Sequence, residues 1–104
     1  MQMPIVCRMD ALTKEERVRR AELFSRLAAA VHKIEELPGG FQLMLSQDQN
    51  IWMTAAEFIT LERRCCPFLS FLLEIEAEDG PMSLSITGRP GVKEFLATEL
   101  QFRT

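Results

Sequence analysis

The residues in this chain best suited to chemistry are Glu62, Cys65 and Cys66, set in the run Glu62-Arg63-Arg64-Cys65-Cys66-Pro67-Phe68. Adjacent Cα atoms across a trans peptide lie about 3.8 Å apart, closer than the roughly 4.4–6.8 Å that an unstrained disulfide spans. A bridge between Cys65 and Cys66 is therefore disfavoured. Two thiolates each bound about 2.3 Å from one soft ion hold their sulfurs well apart, a separation that adjacent side chains reach by choice of rotamer. Glu62 stands three and four residues earlier, on the same face wherever helical geometry persists. Cys7, the third cysteine of the chain, is available as a third sulfur if the N-terminal segment reaches the pair.

Three uses of these thiols stay open on residue chemistry alone. A soft ion supplies its own positive charge and displaces thiol protons, and thiolates select copper(I), zinc and similar ions over hard cations. A redox or nucleophilic thiol is usually activated at a helix N-terminus or beside a firm positive charge. Here Pro67 disfavours the α conformation at Cys66 and places the pair at a helix C-terminus, the negative end of the dipole, although Arg63 and Arg64 are close in sequence. The third use is plain packing, since free cysteine is among the most buried residue types.

Other constellations are weaker. His32 is the single histidine, which excludes a histidine-rich zinc site. Glu35 and Glu36 are neighbours on a predicted strand and point to opposite faces, while Glu74 and Glu76 share a face expected to be solvated. No phosphate loop, nucleophile elbow or serine-histidine-acid set is present. Gly88-Arg89-Pro90-Gly91 before a helix reads as loop and cap rather than as an anion site.

A length of 104 residues fits one domain, and the fractions of 47% hydrophobic and 26% charged residues are those of a globular protein. The net charge of -3 argues against a broad basic nucleic-acid surface. No apolar run reaches the roughly 18 residues needed to cross a bilayer. The stretch from Met1 to Arg8 lacks the pattern of a secretory signal, so a cytoplasmic location is expected. A reducing compartment and an odd cysteine count argue against a disulfide framework.

The elements that must position the cysteines follow from pattern. Thr13 and Glu16 form a capping box opening a helix from Lys14 to about Ala30. Its expected buried stripe is Val18, Ala21, Phe24 or Ser25, and Ala28, with Leu23 and Leu27 beside them, and Arg17, Arg19, Arg20 and Arg26 face outward. Val31–Glu36 and Phe41–Ser46 flank Leu37-Pro38-Gly39-Gly40 as a hairpin. After a loop at Gln47–Asn50, a second helix is expected from a capping box at Thr54 and Glu57, carrying Phe58, Leu61, Glu62 and Cys65 at helical spacing. A third strand alternates Leu69, Phe71, Leu73 and Ile75 with Ser70, Leu72, Glu74 and Glu76, Asp79-Gly80 turns, and Ser83–Thr87 is the fourth. A last helix runs from Val92 to about Leu100.

The predicted order is helix, hairpin, helix, hairpin, helix. The fold class is α+β, a four-stranded antiparallel sheet with helices mainly on one face. The stretches from Ala55 to Ile59 and from Val92 to Leu96 each follow a hairpin, which two amphipathic helices over one sheet explain as well as a duplication does. An open sheet face or strand edge needs cover, and together with Trp52, Met53 and Met44 this suggests a homodimer.

Cys7, the stretch from Ala11 to Arg17, the Glu35–Gly40 turn, the run Phe58–Phe71 and the ending Leu84–Leu96 together resemble a family of small bacterial proteins that carry a Glu-Arg-Arg-Cys-Cys-Pro-Phe signature. The likeness covers nearly the whole chain. It implies an N-terminal cysteine equivalent to Cys7 and an association with heavy-metal or metalloid resistance genes, and no assigned reaction. Arg89 departs from the pattern in a loop that carries none of the candidate ligands.

The leading expectation is a non-enzymatic, cytoplasmic binder or sensor of a thiophilic metal or metalloid ion such as copper(I), zinc or mercury(II). Cys65 and Cys66 are the primary ligands, Cys7 a third, and Glu62 an orienting or outer carboxylate. The alternatives are a thiol-dependent redox enzyme in which Cys7 resolves the product, and a structural or dimerisation module with buried cysteines and no ligand.

Overall fold

The computed structural model describes residues 4–99. The Thr13 hydroxyl accepts the Glu16 N–H at 3.1 Å and the Glu16 carboxylate accepts the Thr13 N–H at 2.9 Å, so the expected capping box opens helix α1, Lys14–Ala30. This helix runs without a loop into β1, Val31–Leu37, which turns back as β2, Gly40–Leu45. Helix α2, Gln49–Cys65, precedes the second hairpin, β3 at Ser70–Ile75 and β4 at Met82–Thr87, and α3 is Val92–Glu99. Leu100, expected as the end of that helix, lies outside the described residues. Three helices and a four-stranded antiparallel sheet in this order make the α+β fold expected from the sequence.

The strand order is β1-β2-β4-β3, so each hairpin places its second strand in the centre. Register puts Leu43 opposite Leu84 and Phe41 opposite Ile86, with Leu73 and Phe71 on the far side of β4. These residues share one face with Leu45 and Met82, and the helices cover it. Leu23, Leu27, Phe58, Leu61, Val92 and Leu96 fill the space between the layers. The opposite face carries Gln42, Met44, Leu72, Glu74, Ser83 and Ser85, and Leu72 is 60% exposed. Gly40 is required where the central strands meet: a Cβ there would stand 2.0 Å from the Ile86 carbonyl oxygen.

Two local expectations are corrected. Helix α2 begins at Gln49 rather than near Thr54, because the Asp48 carboxylate accepts the Ile51 N–H at 2.9 Å and caps it there. Thr54, five residues further on, turns its hydroxyl back to donate to the Asn50 carbonyl at 2.7 Å, the usual mid-helix outlet for a threonine. On α1 the buried stripe is Leu23, Leu27 and Ala30, while Val18, Ala21, Ser25 and Ala28 are exposed. The stripe continues toward the N-terminus through Arg20, which does not face outward as expected. His32 is exposed and sits at a bulge in β1, between Val31 and Lys33.

Trp52, the single tryptophan of the chain, is half-buried on the first turns of α2, and its indole N–H is buried without a hydrogen-bond partner among the described residues. No helix among the described residues is long and apolar enough to cross a membrane.

Candidate functional site

The last turn of α2 presents Glu62 and Cys65 to the interior, with Cys66 just beyond as the capping residue. The Cys66 N–H donates to the Glu62 carbonyl at 2.7 Å, and its φ of -126° and ψ of 68° take the chain out of the helix into the turn that leads to β3. Pro67 is what stops the helix there: it lacks an N–H and crowds the α conformation of the residue before it. Glu62, Cys65 and Cys66 are all buried, at 0%, 0% and 1% exposure. The expected shared face is therefore present.

A carboxylate buried without a partner costs several kcal/mol, and Arg20 supplies the partner. Its Nε and Nη2 donate to Glu62 Oε1 at 3.0 and 2.9 Å, and Nη2 reaches Oε2 at 3.1 Å. The guanidinium also lies 5.9 Å from the centre of the Phe58 ring, within reach of a cation–π contact. Sequence reasoning left Arg20 on the solvated face. The signal that would have found it is its spacing, since positions 20, 23 and 27 lie along one side of a helix.

The N-terminal segment completes the site. Residues 4–10 alternate, with Pro4, Val6, Arg8 and Asp10 exposed and Ile5, Cys7 and Met9 half-buried against the core. The Arg8 N–H donates to the Cys65 carbonyl at 2.7 Å, which lays this strap over the end of α2. Ile5 Cδ1 occupies the space beside Gly91, where φ is 102° and a Cβ would stand 2.9 Å from it. Cys7 is thereby brought against Cys66, and the two form a disulfide across 59 residues of sequence. The expectation of three free thiols is corrected: among the three cysteines, Cys65 alone keeps its proton-bearing sulfur. The reason is tertiary, because the strap delivers Cys7 to the helix end.

Within the cluster, Cys65 Sγ lies 3.6 Å from Cys66 Sγ, 3.4 Å from Glu62 Oε1 and 3.7 Å from the Glu62 carbonyl oxygen. Cys66 Sγ lies 3.2 Å from the same Oε1, but in the disulfide it has no proton to donate, so this is a sulfur–oxygen contact. Burial, followed by the negative charge of Glu62, pushes the Cys65 thiol up to about 11, while Arg20 acts in the opposite sense. Arg64, near in sequence, is engaged elsewhere, by Glu16 at 2.5 and 3.1 Å and by the Ala11 carbonyl at 3.0 Å.

The cluster is compatible with a metal or a redox role. Tetrahedral bonds of about 2.3 Å separate two sulfurs by about 3.8 Å, close to the 3.6 Å between Cys65 and Cys66. The ligand atoms of Cys7, Glu62 and Cys66 lie within 4.8 Å of one another. Away from this cluster, a cleft of about 660 Å³ runs past Phe41, Gly88, Arg89 and Lys93. Its lysine already pairs with Glu36 at 2.9 Å and lies over the Phe41 ring. No protein-family model, curated protein or solved structure matches the chain.

Proposed function

We propose that the chain binds or senses a thiophilic metal or metalloid ion in its reduced form, with Cys65 and Cys66 as primary ligands, Cys7 as a third sulfur and Glu62 as the carboxylate that orients them. One observation carries this reading: three sulfurs and a buried carboxylate converge at one helix end, although Cys7 is 59 residues from Cys66 in sequence. Soft ions favour such sulfur-rich sets, and the bidentate hold of Arg20 on Glu62 leaves that carboxylate beside the thiols rather than between them. A reducing compartment such as the cytoplasm would keep all three thiols available.

Native mass spectrometry of the reduced, oxygen-free protein, titrated with copper(I), zinc and mercury(II) against a competing thiol chelator, tests the assignment. One ion per chain is expected for the wild type and none for the Cys65→Ser, Cys66→Ser variant, whose circular dichroism stays native. Equal stoichiometry and affinity in the two proteins would refute it. Absence of any binding that survives the chelator would leave the cysteines as packing groups.

The disulfide itself favours a second reading, a thiol-dependent redox enzyme in which Cys66 attacks and Cys7 resolves. Its requirement is a reactive thiolate at neutral pH. A pH profile of alkylation of the reduced protein that shows no reactive thiol below about pH 8 would rule it out.

A further inference from the structure

Of the four candidate ligands, three belong to one helix end, while Cys7 rides on the strap, residues 4–12. Its attachments divide by position. Toward Leu12 the strap is held by charged side chains, with Arg17 donating to the Leu12 carbonyl at 2.7 Å and to the Met9 carbonyl at 3.3 Å, and Arg64 donating to the Ala11 carbonyl. Toward Pro4, the Arg8 N–H to Cys65 is, among the described residues, the only backbone hydrogen bond that ties residues 4–8 to anything outside the strap. Beyond it stand the seat of Ile5 at Gly91 and the covalent bond from Cys7 to Cys66. The disulfide is thus the main tie of a short segment with few other bonds. Segments of that kind open locally at low free energy once a tie is removed.

We propose that the Cys7–Cys66 disulfide is a redox latch on this strap, and that capture of a soft ion closes the same latch in the reduced protein. Only the second half rests on the ion-binding reading above. The latch opens when an external dithiol supplies two electrons and two protons: the S–S bond breaks, Cys7 and Cys66 become thiols, and the dithiol leaves as its own disulfide. It closes again by exchange with a low-molecular-weight disulfide, which leaves as two thiols. In the reduced chain, Cys7, Cys65 and Cys66 each give up a proton to solvent and bind one ion as thiolates, which draws the strap back over the helix end. Oxidation and ion capture compete, because the disulfide consumes two of the sulfurs that an ion needs.

Amide hydrogen exchange of the full chain in three oxygen-free states tests this: oxidised, reduced and desalted, and reduced with one equivalent of copper(I). The Arg8 amide is expected to exchange at least about tenfold faster after reduction, and to slow again with copper(I). In Cys7→Ser, copper(I) still binds through Cys65 and Cys66 but restores no protection. Equal Arg8 protection in oxidised and reduced wild type would overturn the latch, with no variant involved. Copper(I) binding without renewed protection would overturn its ion-driven half. A reduced wild type that binds none of copper(I), zinc or mercury(II) would sink the ion-binding reading and that half with it, and the oxidised-against-reduced comparison still decides the redox half.

Discussion

The two halves of the sulfur cluster are built differently. Glu62, Cys65 and Cys66 come from five consecutive positions whose backbone is fixed by the last turn of α2, and all three are buried. Cys7 comes from a strap with no regular pairing, is half-buried, and reaches its partner from 59 residues away. The helix half is held by regular hydrogen bonding and burial, the strap half by a disulfide and a few contacts.

The largest expected effect falls on the helix half. Arg20→Ala leaves the Glu62 carboxylate buried beside the sulfurs with no countercharge, which should destabilise the fold by about 4 kcal/mol, measured by urea unfolding of the oxidised protein. A loss below about 1 kcal/mol would mean that the pair behaves as a surface ion pair and that the helix half is less rigid than its burial indicates. Opening the strap half comes next. Reduction of the disulfide frees a loop of 59 residues in the unfolded chain, and should lower stability by about 3 kcal/mol. A midpoint unchanged by reductant would show that the strap adds nothing to the fold in either redox state.

A smaller effect distinguishes the thiols. With Cys65 pushed up to about 11 by burial and Glu62, less than about 1% of it is thiolate at pH 8, so in the oxidised protein it should resist alkylation until the chain unfolds. Rapid labelling of native oxidised protein would place Cys65 in solvent. The smallest effect lies outside the cluster and serves as its control. The half-exposed Glu57 carboxylate, held below its ordinary value of 4.5 chiefly by hydrogen bonding to Arg19, stabilises the fold above that value and loses its contribution as the pH falls through its folded pKa. The difference in urea midpoint between wild type and Glu57→Gln should shrink below pH 4.5, with no change at Cys65.

Local chemistry made the helix half legible. Spacing placed Glu62 and Cys65 on one face, and Pro67 marked the helix end at Cys65. The capping box at Thr13 and Glu16 opened α1 as expected. The same kind of evidence misled at Thr54 and Glu57, which match a capping box by letter, while Asp48 provided an earlier cap and nothing between the two breaks a helix. The stripe on α1 was misread because an arginine in it was assigned to solvent by residue type, although its spacing from Leu23 and Leu27 set it on the buried side, where the carboxylate of Glu62 receives it. The disulfide could not be read from spacing, since two distant cysteines meet only when the sheet and helices are assembled. The alternation of Ile5, Cys7 and Met9 with Val6 and Arg8 was the available sign that Cys7 faces inward.

Trp52 gives this architecture an optical consequence. It lies on the helix that carries Cys65, about 20 Å along the axis from it, and its indole N–H is buried without a partner among the described residues. Because that N–H is shielded from solvent, emission from the folded chain should be blue-shifted. A heavy ion among the sulfurs is too distant to quench it by contact, so intrinsic fluorescence reports whether α2 is docked, whatever the cysteines hold.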